Sequence, residues 1–159
     1  MICKSVEHLR SVLDEYHSNQ KVWATSGGFD PMHVGHLRCL LETASLASPE
    51  DGITVAIVNS DGFLSRKKGY AFMPLEERME IINGVKGVDY VVPWDDGSQT
   101  VVGAIEILRP SYFTKGGDRD SSGNVPEFEL CSKIGCCVIF GVGGGKIQSS
   151  SELVAKVKS

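Results

Sequence analysis

The period of the apolar positions changes repeatedly along the chain. Val6, Leu9, Leu13 and Tyr16 recur at spacings of three and four, which predicts an amphipathic helix over residues 5–17. Ser5 suits its N-cap and Glu7 its first turn, while His8 stands where a glutamate would complete a capping box. Residues 21–25 (Lys-Val-Trp-Ala-Thr) read as a strand and Ser26–Pro31 as a loop. Helical spacing returns over 34–47 through Leu37, Leu40, Leu41 and Ala44. Residues 53–58 (Ile-Thr-Val-Ala-Ile-Val) are β-branched and nearly all apolar, as in a parallel strand covered on both faces. The stretch after it, with Arg66-Lys67-Lys68-Gly69, reads as a basic loop.

The alternation continues in the second half. Pro74-Leu75-Glu76-Glu77-Arg78 opens a helix with proline in its first turn and acids at its positive end. Val88–Val92 reads as a strand closed by Pro93, and 99–108 as a helix that stops at Arg109-Pro110. A short strand over 111–114, a helix over 126–133, a strand over 136–140 and a helix over 150–157 complete the pattern. Five strands alternating with helices, without a long Gly/Ser linker, predict one α/β domain across 1–159. The architecture expected is a Rossmann-like, five-stranded parallel sheet in the order 3-2-1-4-5. Helices cover both its faces, and the helix of residues 1–20 packs on it.

Composition narrows the functions this domain can carry. The net charge of −4 disfavours general nucleic-acid binding. Apolar runs are strand-sized, too short to span a bilayer, and the N-terminus lacks the apolar core of a signal peptide; the expectation is a cytoplasmic protein. The five cysteines, Cys3, Cys39, Cys131, Cys136 and Cys137, form no regular framework and read as free, packing thiols in a reducing compartment. Glycine is in excess, 18 of 159 residues where about 7% is usual, and it clusters.

In such a sheet, ligands bind beyond the carboxyl ends of the strands, at the switch in strand order. Three polar, glycine-bearing segments follow strands there: Gly27–His36, Lys115–Asp118 and Gly143–Ser151. His33 and His36 are three apart at the start of a helix, with Gly35 between them leaving room for a ligand. Two imidazoles at a positive helix end suit a polyphosphate whose charge rises during phosphoryl transfer. A lone histidine there would more often be a cap, but the whole string Gly28-Phe29-Asp30-Pro31-Met32-His33-Val34-Gly35-His36 is more than a cap requires. Without a third ligand nearby the pair makes a poor zinc site, so no resident metal is expected. Ser149, Ser150 and Ser151 precede or open the last helix, where hydroxyls and free N–H groups form an anion site. Arg78 in a helical first turn is electrostatically mismatched, which a nearby phosphate would resolve.

These residues resemble the nucleotidyltransferase superfamily of cytidylyltransferases and pantetheine-phosphate, nicotinamide-mononucleotide and heptose-phosphate adenylyltransferases. The HxGH string His33–His36 is its most specific signature, and Ser149–Ser151 is similar to its second. The adenylyltransferase module of the heptose kinase/adenylyltransferases is matched by further stretches. These are Val58–Asp61, Pro74–Met79, Val88–Val92, Leu108–Pro110 and Lys115–Asp118. The resemblance implies transfer of AMP from ATP to a phosphorylated small molecule, a sugar phosphate, with release of pyrophosphate. It implies Mg²⁺ bridging nucleotide phosphates, and a homo-oligomer, in particular a dimer. His33, His36, Lys67 and Arg78 would be catalytic. Ser26, Gly27, Gly28, Phe29, Asp30, Gly35, Lys115, Gly117, Asp118 and Ser149–Ser151 would join the histidines on the nucleotide. Arg66, Lys67, Lys68 and Arg78 would hold the acceptor phosphate. A cytidylyltransferase using CTP and a polyol or sugar phosphate, an adenylyltransferase for a mononucleotide, and a silent nucleotide-binding module are the alternatives. The chain departs from the pattern at Gln148, where an apolar residue is usual, and at Gly143–Lys146, which replaces an acidic or arginine-bearing loop.

Overall fold

A computed structural model describes residues 1–117, 126–145 and 149–158. Helix α1 (Val6–Tyr16) leads into β1 (Val22–Gly27), α2 (Val34–Ala47), β2 (Ile53–Asn59), α3 (Asp61–Lys68), α4 (Leu75–Asn83) and β3 (Tyr90–Trp94). Then come α5 (Val102–Leu108), β4 (Tyr112–Gly116), α6 (Phe128–Ile134), β5 (Cys137–Val142) and α7 (Ser150–Lys158). The five strands form one parallel sheet, as the alternation predicted, and their order is the expected β3-β2-β1-β4-β5.

Side chains alternate across the pleat, so each strand feeds two cores. Val55 and Ile57 of β2 join Leu9, Leu13, Ile105, Leu108 and Phe113 under α1 and α5. Ala56 and Val58 meet Leu40, Met79 and Ile82 under α2 and α4. Every residue of β2 is buried, which explains its unbroken apolar pattern. Helix α1 starts as expected, with the Ser5 hydroxyl accepting the His8 N–H at 3.1 Å.

Several boundaries differ from the sequence reading, each for a local reason. β3 runs through Pro93 to Trp94, because it lies at the sheet's edge, where a missing N–H is tolerated. That edge is covered by the N-terminus, which pairs Ile2 with Val91. Ser26 and Gly27 belong to β1, in register with Ile57 and Val58, and Lys115 and Gly116 belong to β4. The basic stretch is the last turn of helix α3. Ser60 caps α3 through the Phe63 N–H, and Gly69, at φ 88°, ends it. Its cations thus sit at the negative helix end, where they are favoured. With only Phe63 and Leu64 buried, this short helix has too little apolar periodicity to reveal itself. Cys131 and Cys136 are buried as expected, but Cys137 is exposed because it opens the edge strand β5.

Candidate active site

The chain builds from β1 outward to β3, then returns to place β4 and β5 on the other flank. The switch point therefore lies between β1 and β4. A cavity of about 370 Å³ opens at the carboxyl ends of these strands. Its wall is formed by Thr25–Asp30, the start of α2, Lys67 and Lys68 of α3, and Gln99–Val101. Lys115–Gly117, Pro126 and Glu127, Val142–Gly145 and Ser149–Ser151 close the remainder.

His33 is the N-cap of α2, and its Nδ1 accepts the Gly35 N–H at 3.0 Å. His36 reaches back, its Nδ1 accepting the His33 N–H at 3.2 Å. The two histidines thus form a reciprocal capping box with imidazoles in the roles usually held by Ser and Glu. Their rings stack with centroids 3.9 Å apart, and Phe29 meets His36 edge-on at 5.2 Å. Because each Nδ1 is an acceptor, each neutral ring carries its proton on Nε2. A pair of Nε2–H donors is therefore available to a ligand in the cavity both residues line.

Burial, the neighbouring His33 and the Lys68 ammonium push His36 down to about 3, and burial lowers His33. Both rings are neutral in the free protein at neutral pH. An unfolded histidine titrates near 6.5. Below that pH the unfolded chain takes up a proton that the folded chain refuses, so stability is lost progressively from about pH 6.5 down towards 3 and is unaffected above. The fall in Tm between pH 7.5 and pH 5 is expected to be smaller in His36→Asn, whose Oδ1 can keep the cap. Equal falls in both proteins would contradict the burial argument.

The cationic residues divide. Lys67 and Lys68 line the cavity. Lys68 donates to the Asp30 carbonyl at 2.8 Å and lies over the Tyr70 ring at 4.7 Å. Arg66 points elsewhere: it pairs with Asp95 and donates to the Ser98 carbonyl at 3.1 Å, outside the cavity. That guanidinium, with Ser60 and the Gly97 N–H, holds the Asp95 carboxyl down at about 2. Arg78 is also absent from the wall and is fully buried. Its guanidinium donates to the carbonyls of Met73 (2.8 Å), Gly28 (2.7 Å) and Asn59 (2.6 Å) and to the Asp61 carboxylate (2.6 Å). These oxygens, not a phosphate, resolve the charge mismatch in the first turn of α4. The expected acceptor-phosphate contacts of Arg66 and Arg78 are corrected accordingly.

Asp30 lines the cavity, yet its buried carboxylate accepts the Phe72 and Met73 N–H groups, each at 2.6 Å. It thereby fixes the loop before α4. Ser26–Phe29, Gly35, Lys115, Gly117 and Ser149–Ser151 all line the same cavity; Asp118 lies outside the described residues. Ser150 donates to the Pro31 carbonyl at 2.8 Å, tying the start of α7 to the histidine loop. Gly143, at φ +87°, passes so close to α2 that a Cβ would stand 2.7 Å from the Cys39 amide nitrogen. On the floor, Thr25 donates to the Thr114 carbonyl at 3.1 Å.

Sequence reasoning missed Cys39, Asn59, Gln99, Thr100 and Glu127, which also line the cavity. Cys39 is therefore a wall residue and not merely packing. For Asn59 the signal was available, a polar residue ending an apolar strand. Glu127 gave none, because its place depends on α6 meeting the start of α5.

The cavity thus lies at the switch point, with the start of α2 that carries His33 and His36 in its wall. The cytidylyltransferase-like family model matches residues 24–133, and the chain belongs to that family. Among curated relatives, the bifunctional protein HldE of Hahella chejuensis is 39% identical over 117 residues, covering 72% of this chain and 23% of that protein. HldE of Citrifermentans bemidjiense is 31% identical over 159 residues, covering 98% of this chain and 31% of that protein. The chain thus spans about a quarter to a third of the length of these relatives. Among solved structures, the lipopolysaccharide core biosynthesis protein of Thermoplasma volcanium shares the fold, with TM-score 0.61 and 23% identity over 82% of this chain and 98% of that one. No helix among the described residues is long and apolar enough to cross a membrane.

Proposed function

We propose that the chain transfers AMP from ATP to a sugar phosphate and releases pyrophosphate. The observation that carries this reading is the reciprocally capped His33–His36 pair, set between Lys67 and Lys68 on one flank and the serine-bearing start of α7 on the other. An oxygen of the acceptor's phosphate attacks the α-phosphorus, and the bond from that phosphorus to the β-bridging oxygen breaks. The attacking oxygen is already anionic, so no general base is needed; the protein contributes position and charge stabilisation. The histidine Nε2–H groups donate to phosphate oxygens as negative charge accumulates. Lys67 and Lys68 draw in the acceptor phosphate, while Ser149–Ser151 and the N–H groups of α7 receive the β- and γ-phosphates. Magnesium would enter with the nucleotide and would lower the charge on its phosphates, while Ser149–Ser151 and Lys67 line the cavity that would receive them.

ATP is favoured over CTP by Gly143–Gly145, which line the cavity without side chains. Cytidylyltransferases resembling this chain carry an Arg-Thr-Glu-Gly string where Gly144-Gly145-Lys146-Ile147 stands here. Two glycines leave room for a purine and offer backbone groups in place of a guanidinium. A site shaped to one base edge rejects a base that leaves its polar groups unpaired. The test is pyrophosphate release across a matrix of ATP, CTP, GTP and UTP against heptose 1-phosphate, glucose 1-phosphate, glycerol 3-phosphate and nicotinamide mononucleotide. The expected result is turnover with ATP and a sugar 1-phosphate. A kcat/KM ratio favouring CTP would overturn the adenylyl assignment, and absence of release in every pairing would overturn the enzyme reading.

A further inference from the structure

Glu127 carries an unexplained oxygen. It stands just before α6, 4% exposed, and its Oε1 accepts the Val101 N–H at 3.2 Å. Its Oε2 is buried and has no hydrogen-bond partner among the described residues. An oxygen of this kind is costly to leave unpaired. Asn59, at the end of β2, presents a second such acceptor: its Oδ1 is buried and likewise unpartnered. Both residues line the active-site cavity. Oxygens without partners call for donors from a ligand.

The position of Glu127 indicates which ligand. It is bonded to the start of α5 beside Gln99 and Thr100, and Gln99 donates to the Arg66 carbonyl at 3.3 Å, so it lies on the α3–α5 flank of the cavity, while its own helix α6 packs against α5 and β5. The anion-receiving start of α7 follows β5 and is tied to the Pro31 carbonyl of the histidine loop, on the α2 side of the cavity. A nucleotide whose terminal phosphates reach α7 leaves the Glu127 side for the acceptor. Lys67 and Lys68 of α3 supply the cations for a phosphate on that flank, and Glu127 and Asn59 supply acceptors for hydroxyl donors. We infer that Glu127 Oε2, with Asn59 Oδ1, receives hydroxyl groups of the acceptor's polyol body and so selects a polyhydroxylated phosphate. This deepens, and rests on, the reading of the cavity as a sugar-phosphate nucleotidyltransferase site.

Glu127→Gln keeps the shape and the Val101 bond but turns the second oxygen into an amide donor. Because hydrogen bonds to a charged group are worth about 1.5–3 kcal/mol, KM for the sugar 1-phosphate should rise roughly 10- to 100-fold. KM for ATP should stay within about twofold, as should Tm. Calorimetric titration of the sugar 1-phosphate into both proteins with a non-hydrolysable ATP analogue present should show the same loss of affinity. The loss should shrink with glycerol 3-phosphate, which has fewer hydroxyls to place. A rise in KM for ATP alone, or unchanged sugar 1-phosphate binding in the variant, would overturn the assignment while leaving the transferase reading intact. If the parent neither turns over nor binds any sugar 1-phosphate, both readings fall together.

Discussion

His36→Asn is expected to lower kcat about 100- to 1,000-fold while the protein stays folded, the range seen when one donor to a developing oxyanion is removed. The choice of asparagine follows from the geometry. Its Oδ1 stands where Nδ1 stood and can still accept the His33 N–H, so the capping box and the first turn of α2 survive. What disappears is the Nε2–H that faces the ligand. His36→Gln keeps the cap too, since Gln at N3 can accept the His33 N–H through Oε1, but it carries its N–H one methylene further out. Its kcat should exceed that of His36→Asn at a similar Tm. The two variants separate donation to the ligand from support of the helix, which alanine would confound. Single-turnover formation of pyrophosphate, with thermal unfolding in parallel, reads both quantities. If His36→Asn turned over like the parent, the imidazole pair would be a structural cap and the catalytic assignment would fail.

The parallel sheet and the gathering of most candidate residues around one cavity were legible in the sequence because each rests on strong local signals. Those signals were the unbroken apolar run of β2, the changes of period, and polar glycine segments placed after strands. The spacing of His33 and His36 also carried real information, since three residues apart at a helix start is the geometry of a capping box. The cations were less legible. A guanidinium looks the same in sequence whether its partner is a phosphate or a carbonyl. Arg66 and Arg78 differ from Lys67 and Lys68 in what the fold brings to them: Asp95 from just after β3, and Asp61 with three backbone oxygens from two loops and the end of β2. Asp30 likewise sits within the signature string, yet two amides 42 and 43 residues away take its carboxylate. Long-range pairing of this sort has no period and no local composition to announce it.

Arg78 is expected to act on stability more than on substrate affinity. Its side chain is fully buried, and its four acceptors come from the loop after β1, the end of β2, the start of α3 and the loop before α4. It ties together the walls of the cavity without entering it. Arg78→Ala would leave three carbonyls without a donor, at about 1–3 kcal/mol for each that water cannot reach. A void where the side chain stood adds to that cost. The sum approaches the whole stability of an ordinary domain, roughly 5–15 kcal/mol, so this variant should fail to accumulate as folded protein. Arg78→Lys keeps the charge but has one nitrogen where the fork had three, so it can serve only some of the acceptors. A loss of about 3 kcal/mol would lower Tm by roughly 6–12 °C at this chain length. Below that temperature, KM for the triphosphate and for the acceptor should remain within about threefold of the parent, because the guanidinium is buried behind the cavity wall. The opposite pattern, an unchanged Tm with KM for the acceptor raised tenfold or more, would return Arg78 to the substrate site and overturn the structural role.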